Sequence, residues 1–157
     1  MDDSLFSDSV LRFFDELRIR DVRFMVVGAA GAILHGSEIG TGDVDIWVER
    51  LGSPAFCDAA LAIGGFYRPP TGYDLEPPRL VGGGLDHVDL VLQMSGLGRF
   101  ADEYAHVTWI LERERQVPVL ALSRIIRSKE AAARAKDLPV LPALREFEKR
   151  RGDSMPG

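Results

Sequence analysis

The chain has 157 residues, 46% of them apolar and 27% charged, which fits one globular core and excludes long disorder, a collagen-like fibre and a second full-sized domain. No apolar run approaches the ~20 residues that cross a bilayer, the acidic start Met1-Asp2-Asp3 lacks the basic region of a signal peptide, and Cys57 alone makes neither an internal disulfide nor a zinc anchor, so a reducing, cytoplasmic setting is expected. The net charge of −5 is divided: residues 1–112 carry 8 Lys/Arg against 18 Asp/Glu, and residues 113–151 carry 11 against 5.

From Ser4 to Arg20, Leu5, Val10, Phe13, Phe14 and Leu17 recur at helical spacing, and Asp2, Asp3 and Ser4 are available as caps, so the first element is an amphipathic helix. Val22 to Val27 is a short β-rich run that stops at Gly28, as a buried strand does. Ala29 to His35 is small, apolar and helical in pattern, and Gly36 to Gly42 reads as a loop. Asp43 to Glu49 alternates, with Val44, Ile46 and Val48 on one face and Asp43, Asp45, Trp47 and Glu49 on the other; this predicts a strand with a single dry face. Ser53 and Pro54 open a helix that continues to Ile63 and ends at Gly64-Gly65. The Pro- and Gly-rich stretch Pro69 to Gly84 breaks regular structure, with room for short strands at Phe66-Tyr67 and Arg79 to Val81. His87 to Gln93 alternates again, placing His87, Asp89 and Val91 opposite Val88, Leu90 and Leu92. A short helix over Phe100–Tyr104, strands near Val107–Leu111 and Val117–Leu120, and helices over Ser123–Ala135 and Leu138–Arg150 complete one α/β or α+β domain spanning residues 1–151, with a flexible tail at 152–157.

The chemistry gathers around three aspartates. Asp43 and Asp45 stand at i and i+2 of one strand, so their carboxylates leave the same face about 7 Å apart along the backbone. Two anions so placed repel each other, and a hard cation such as Mg²⁺ removes that cost while keeping positions open for phosphate. Asp89 is the outward residue of a second strand of the same kind and completes a three-carboxylate set if the two strands are neighbours. Upstream, Gly28 ends a strand and opens a helix, which turns free backbone N–H groups toward an anion. These are parts needed for phosphoryl or nucleotidyl transfer, and an acidic front with a basic back suits a site that holds cations on one side and an anion on the other.

Val27-Gly28-Ala29 through His35-Gly36, followed by Thr41-Gly42-Asp43-Val44-Asp45, resembles the signature of the DNA polymerase beta-like nucleotidyltransferase superfamily, most of all its small prokaryotic branch of AbiEii-like and minimal nucleotidyltransferases. The resemblance continues through Val88-Asp89-Leu90, Ser95-Gly96-Leu97 with Phe100, Ile126-Arg127-Ser128-Lys129 and Arg134-Ala135-Lys136-Asp137, from about Phe24 to Leu144. It implies a nucleotidyltransferase-like mixed β-sheet flanked by helices, with C-terminal helices. It further implies that Asp43, Asp45 and Asp89 hold two Mg²⁺ ions, with Asp89 helping to deprotonate the acceptor hydroxyl. Gly28, Ala29 and their amides would hold the triphosphate of an NTP such as ATP; Thr41 would lie on the loop entering the metal strand, and Lys129 and Lys136 would reach the phosphates. The implied reaction is transfer of a nucleoside monophosphate to a hydroxyl on a small molecule, an RNA end or a partner protein. Three positions depart from the pattern: Ala29 follows the strand-ending glycine where glycine or serine is usual, Ile39 stands where arginine is common, and Val140 where an acid often follows the Lys-Asp pair.

Other readings stay open on the residues. Ala29 and Ile39 motivate a non-catalytic nucleotidyltransferase-like binding protein, such as a component of a toxin-antitoxin system. Gly28-Ala29-Ala30-Gly31 with Glu49 is similar to a dinucleotide-binding turn with its ribose carboxylate, although the full glycine pattern is absent and a strand carrying Asp43 and Asp45 is too polar for that fold. His35 is read as a cap at the end of its helix in preference to a catalytic group, Trp47 either as a base-stacking residue or as a cover for the sheet, and Arg113, Arg115, Arg124 and Arg127 as surface charges, the alternative being help to an acceptor substrate. A chain this short leaves room for a homo-oligomer in which a second subunit helps to bind the acceptor.

Overall fold

The computed structural model describes residues 5–73 and 76–154. Helix α1 (Asp8–Ile19) starts three residues later than the periodicity of its apolar face admits, because Ser7 is the cap: its Oγ accepts the N–H of Val10 at 3.4 Å. The caps expected at Asp2, Asp3 and Ser4 lie outside the described residues. Strand β1 (Phe24–Val27) is buried at every position and runs into helix α2 (Gly28–Leu34). Strand β2 (Val44–Val48) follows the glycine loop, and helix α3 (Pro54–Ala62) opens as expected, with Ser53 Oγ accepting the N–H of Phe56 at 3.2 Å. The Pro/Gly stretch holds strands β3 (Gly65–Arg68) and β4 (Arg79–Gly82), which pair antiparallel as a separate ribbon. Strand β5 (Val88–Val91), helix α4 (Phe100–Tyr104) and the hairpin of β6 (Thr108–Glu112) and β7 (Arg115–Val119) come next; Arg113 and Glu114 form its two-residue turn, both at positive φ, as a type I′ turn demands. Helix α5 (Leu122–Ala132) ends at a left-handed Ala133, before the expected Ala135, and a 3₁₀ turn (Leu138–Val140) leads into helix α6 (Leu141–Ser154). The prolines at 139 and 142 confine the α-helix to residues beyond the 3₁₀ turn.

The main sheet has the order β5-β2-β1-β7-β6 and is mixed: β1 is antiparallel to β2 and parallel to β7, while β2 is parallel to β5. That antiparallel β1–β2 step is incompatible with a dinucleotide-binding βαβ unit, and Glu49, beyond the far end of β2 from Asp43, pairs with Arg23 at 3.6 Å.

Alternation along β1 divides the interior in two. Phe24 and Val26 join the core built with α1 and α3, whereas Met25 and Val27 join a second core with α4, α5 and α6. The second core corrects the reading of β2 as dry on one face. Trp47 is 4% exposed and meets Phe100 of α4 edge-on at 5.6 Å and 85°, so it covers the sheet and is not offered to a base. Of the arginines read as surface charges, Arg113 and Arg127 are exposed, whereas Arg115 and Arg124 are half-buried, and all four are held by contacts within the fold. Arg115 reaches Asp15 at 2.7 Å, Arg113 binds Asp8 at 3.1 Å and the Phe6 carbonyl, Arg127 Nε donates to the Gly96 carbonyl at 3.1 Å, and Arg124 grips the buried Glu103 through two bonds of 2.8 Å.

Candidate functional site

The register of β2 and β5 decides the site. Asp45 stands directly across from Asp89 in a parallel pair, where aligned side chains leave the same face, and Asp43 precedes Asp45 by the two residues that return it to that face. Thr41 holds the approach to β2: one hydroxyl accepts the Asp43 N–H and donates to the Asp43 carbonyl, each at 3.3 Å, closing a tight turn before the strand. From the other side, β1 places Val27 opposite Asp45, so the chain leaves the sheet at Gly28 beside the same carboxylate.

Gly28 is required here twice over. Its φ is +64°, and a β-carbon built on it would stand 2.8 Å from Asp45 Oδ2. With no β-carbon, the backbone that opens α2 lies against the carboxylates. All three aspartates, Gly28, Ala29, Thr41, Lys129 and Lys136 line one cavity of about 270 Å³, whose apolar wall includes Ile39, Met94 and Val140.

Burial, with the charges of Asp89 and Asp43, pushes the Asp45 carboxyl above the usual carboxylate range, while Lys136 and Lys129 pull the other way. Asp89 is also raised, by its own burial and by Asp43, opposed by a hydrogen bond with Asp45 and by Lys136. The site therefore holds more negative charge than its lysines offset. Asp43 itself is exposed at the mouth.

The two lysines differ. Lys136 is exposed and, among the described residues, makes no ion pair, so its ammonium is available to an anion in the cavity. Lys129 is buried and held by Asp137, which is 0% exposed, at 3.3 Å. The same carboxylate takes Arg134 Nε at 2.7 Å and its backbone N–H at 3.2 Å. Burial alone would raise the Asp137 pKa; the bonds from Arg134 and the charge of Lys129 overcome it and hold the group below its ordinary value. Asp137 thus ties the end of α5 to the turn that carries Lys136. Sequence reasoning missed this buried anchor, and also Arg134 and Gln93 in the cavity wall; the signal for the anchor and Arg134 was the charge-dense Arg134–Asp137 segment just after a helix, and Gln93 had none.

His35 does not cap α2 with its ring. Its Nε2 lies 2.8 Å from the Leu120 carbonyl and its Nδ1 2.9 Å from Arg151 Nη1, which fastens α2 to β7 and α6. Among the described residues no three His, Cys, Asp or Glu side chains stand close enough, as placed, to enclose a metal ion. No helix among them is long and apolar enough to cross a membrane.

No family model matches the chain, and no curated protein matches it. Solved structures do. The crystal structure of ANT(2'')-Ia in complex with adenylyl-2''-tobramycin is similar with a TM-score of 0.59 at 11% identity, over 86% of this chain and 84% of that one. The solution structure of the antibiotic-resistance factor ANT(2'')-Ia gives 0.57 at 12%, over 92% of each. Likeness in shape at such low identity establishes the fold: a mixed sheet flanked by helices of the nucleotidyltransferase-like kind.

Proposed function

We propose that the protein is a Mg²⁺-dependent nucleotidyltransferase of the small prokaryotic type, moving a nucleoside monophosphate from an NTP to a hydroxyl acceptor. The observation that carries this reading is the in-register pair Asp45 and Asp89, joined by Asp43 on a cavity where the Cβ-free backbone of Gly28 lies against Asp45. A fold shared with a protein solved with adenylyl-2''-tobramycin supports the choice of nucleotidyl over simple phosphoryl transfer.

The donor set fits the metal. Asp43, Asp45 and Asp89 offer hard oxygens and the cavity lining holds no thiol or imidazole, the preference of Mg²⁺. The ion would neutralise phosphate charge and favour ionisation of the attacking hydroxyl. Lys136 and the amides at Gly28 and Ala29 would hold the phosphates, and the closed turn at Thr41 would fix Asp43 relative to Asp45. Asp89, exposed to the cavity and raised in proton affinity, would take the acceptor proton. The acceptor oxygen bonds to the α-phosphorus while the bond from that phosphorus to the bridging oxygen breaks, and pyrophosphate leaves with the electron pair.

Incubation with Mg²⁺ and each NTP tests the reading: pyrophosphate release that disappears in Asp43→Ala and Asp45→Ala supports it. A second reading, binding without turnover as in a toxin-antitoxin component, is favoured by Lys129, whose ammonium is already engaged by Asp137. Saturable NTP binding with no pyrophosphate would select it.

A further inference from the structure

Beside the carboxylate cavity lies a second, larger cleft of about 780 Å³, and Ile39 forms part of the wall of both. One side is the segment from His35 to Ile39 that leaves α2; the other is α6, with Phe147, Arg150 and Arg151. Phe147 is half-buried, its ring edge 3.3 Å from the place a β-carbon on Gly36 would take, so an aromatic surface is held against this loop. The His35–Arg151 contact settles a tautomer. The Leu120 carbonyl can only accept, so Nε2 carries the hydrogen and Nδ1 offers a lone pair to the arginine. A ring so arranged is neutral, and it orients the Arg151 guanidinium. Arg150 is exposed and, among the described residues, has no ion pair. Among the described residues, Glu38 is the acidic residue lining the cleft with these two guanidiniums. The wall is cationic and aromatic, whereas the adjoining cavity is anionic.

We propose that this cleft is the acceptor chamber, and that it selects a small hydroxyl compound carrying an anionic group, phosphate or carboxylate, beside a planar or apolar part. The assignment rests on the nucleotidyl-transfer reading above and gives its acceptor a charge. Guanidinium forks suit planar or tetrahedral oxyanions, a Phe face suits the ring, and a polyamine would meet like charge. Ile39 then acts as the divider between donor and acceptor.

Phenyl phosphate, which joins a ring to a phosphate, is the probe. In uniformly labelled protein, whose backbone amides and side chains are all followed, it is expected to shift the Phe147 and Arg151 signals saturably. Arg150→Glu should weaken that binding at least tenfold, Asp45→Asn should leave it unchanged, and spermidine should move neither signal. Equal shifts with spermidine, or phenyl phosphate shifts confined to Gly28 and Lys136, overturn the proposal. Mg²⁺ with ATP, followed at the Gly28 amide in the same sample, separates the two readings. A response there with none at Phe147 removes the acceptor chamber alone. Phenyl phosphate binding at Phe147 without any ATP response removes the nucleotidyl reading and the acceptor role with it.

Discussion

Gly28 and Asp45 exclude each other's enlargement: a β-carbon on the glycine would lie 2.8 Å from Asp45 Oδ2, at a backbone φ of +64° that side-chain-bearing residues rarely adopt. Gly28→Ala therefore combines left-handed strain, about 1–2 kcal/mol, with displacement of the carboxylate. The expected outcome is a melting temperature lower by about 2–8 °C and pyrophosphate release lower by at least about tenfold. Thermal denaturation and a turnover assay on the same preparation check it; full turnover in a folded variant would show that Asp45 need not stay where it is.

The buried anchor behind the site predicts an asymmetry. Asp137 keeps Arg134 when Lys129 is removed, but among the described residues the ion pair of Lys129 is with Asp137 alone, the cavity aspartates acting on it only from a distance. Lys129→Met should cost about 1–2 kcal/mol and Asp137→Asn about 3–5 kcal/mol, since the latter leaves a buried cation without its ion-pair partner. Urea unfolding measures both, and equal losses would mean that Arg134 contributes little to holding Asp137.

Glu103 gives the fold an acid limit. Its two bonds from Arg124 hold its pKa below the ordinary 4.5, against the opposing effect of burial. A carboxylate whose folded-state pKa is depressed adds stability that is fully present above the unfolded value and is lost as pH falls through the folded one. Wild type should thus exceed Glu103→Gln by about 1–3 kcal/mol near neutrality, with the gap closing below pH ~4.5. A gap independent of pH across that range would assign the loss to packing instead of charge.

What could be read before folding, and what could not, has a common cause. The strand that stops at Gly28, the two-residue spacing of Asp43 and Asp45, and the outward place of Asp89 are local patterns, and the period of a strand alone puts each on a face. The covering of that face is not local. Trp47 is buried because α4, over fifty residues later, brings Phe100 to it; the bond from His35 to the Leu120 carbonyl spans 85 residues. The same holds for charge: Arg124 and Arg115 read as solvated until Glu103 and Asp15 are seen beside them. Helix ends failed for a smaller reason, since Ser7 and Ser4 are equivalent caps in composition and only the hydrogen bond to Val10 chooses between them.

The carboxylate pair itself trades stability against chemistry. Asp45 and Asp89 face each other in register with Asp43 on the same face, and Asp45 is half-buried, so without a cation the fold bears their repulsion. Asp45→Asn keeps the shape and removes one charge. In chelator the variant should be more stable than wild type by about 1–2 kcal/mol, or roughly 2–8 °C, while pyrophosphate release falls by more than about a hundredfold. Adding about 10 mM Mg²⁺ should reverse the order, because a ligand stabilises only the form that binds it. Differential scanning calorimetry with and without Mg²⁺ reads both effects in one series. A variant less stable than wild type in chelator would show that the hydrogen bond between Asp45 and Asp89 outweighs their repulsion, and a Mg²⁺ shift retained in the variant would move the metal away from Asp45.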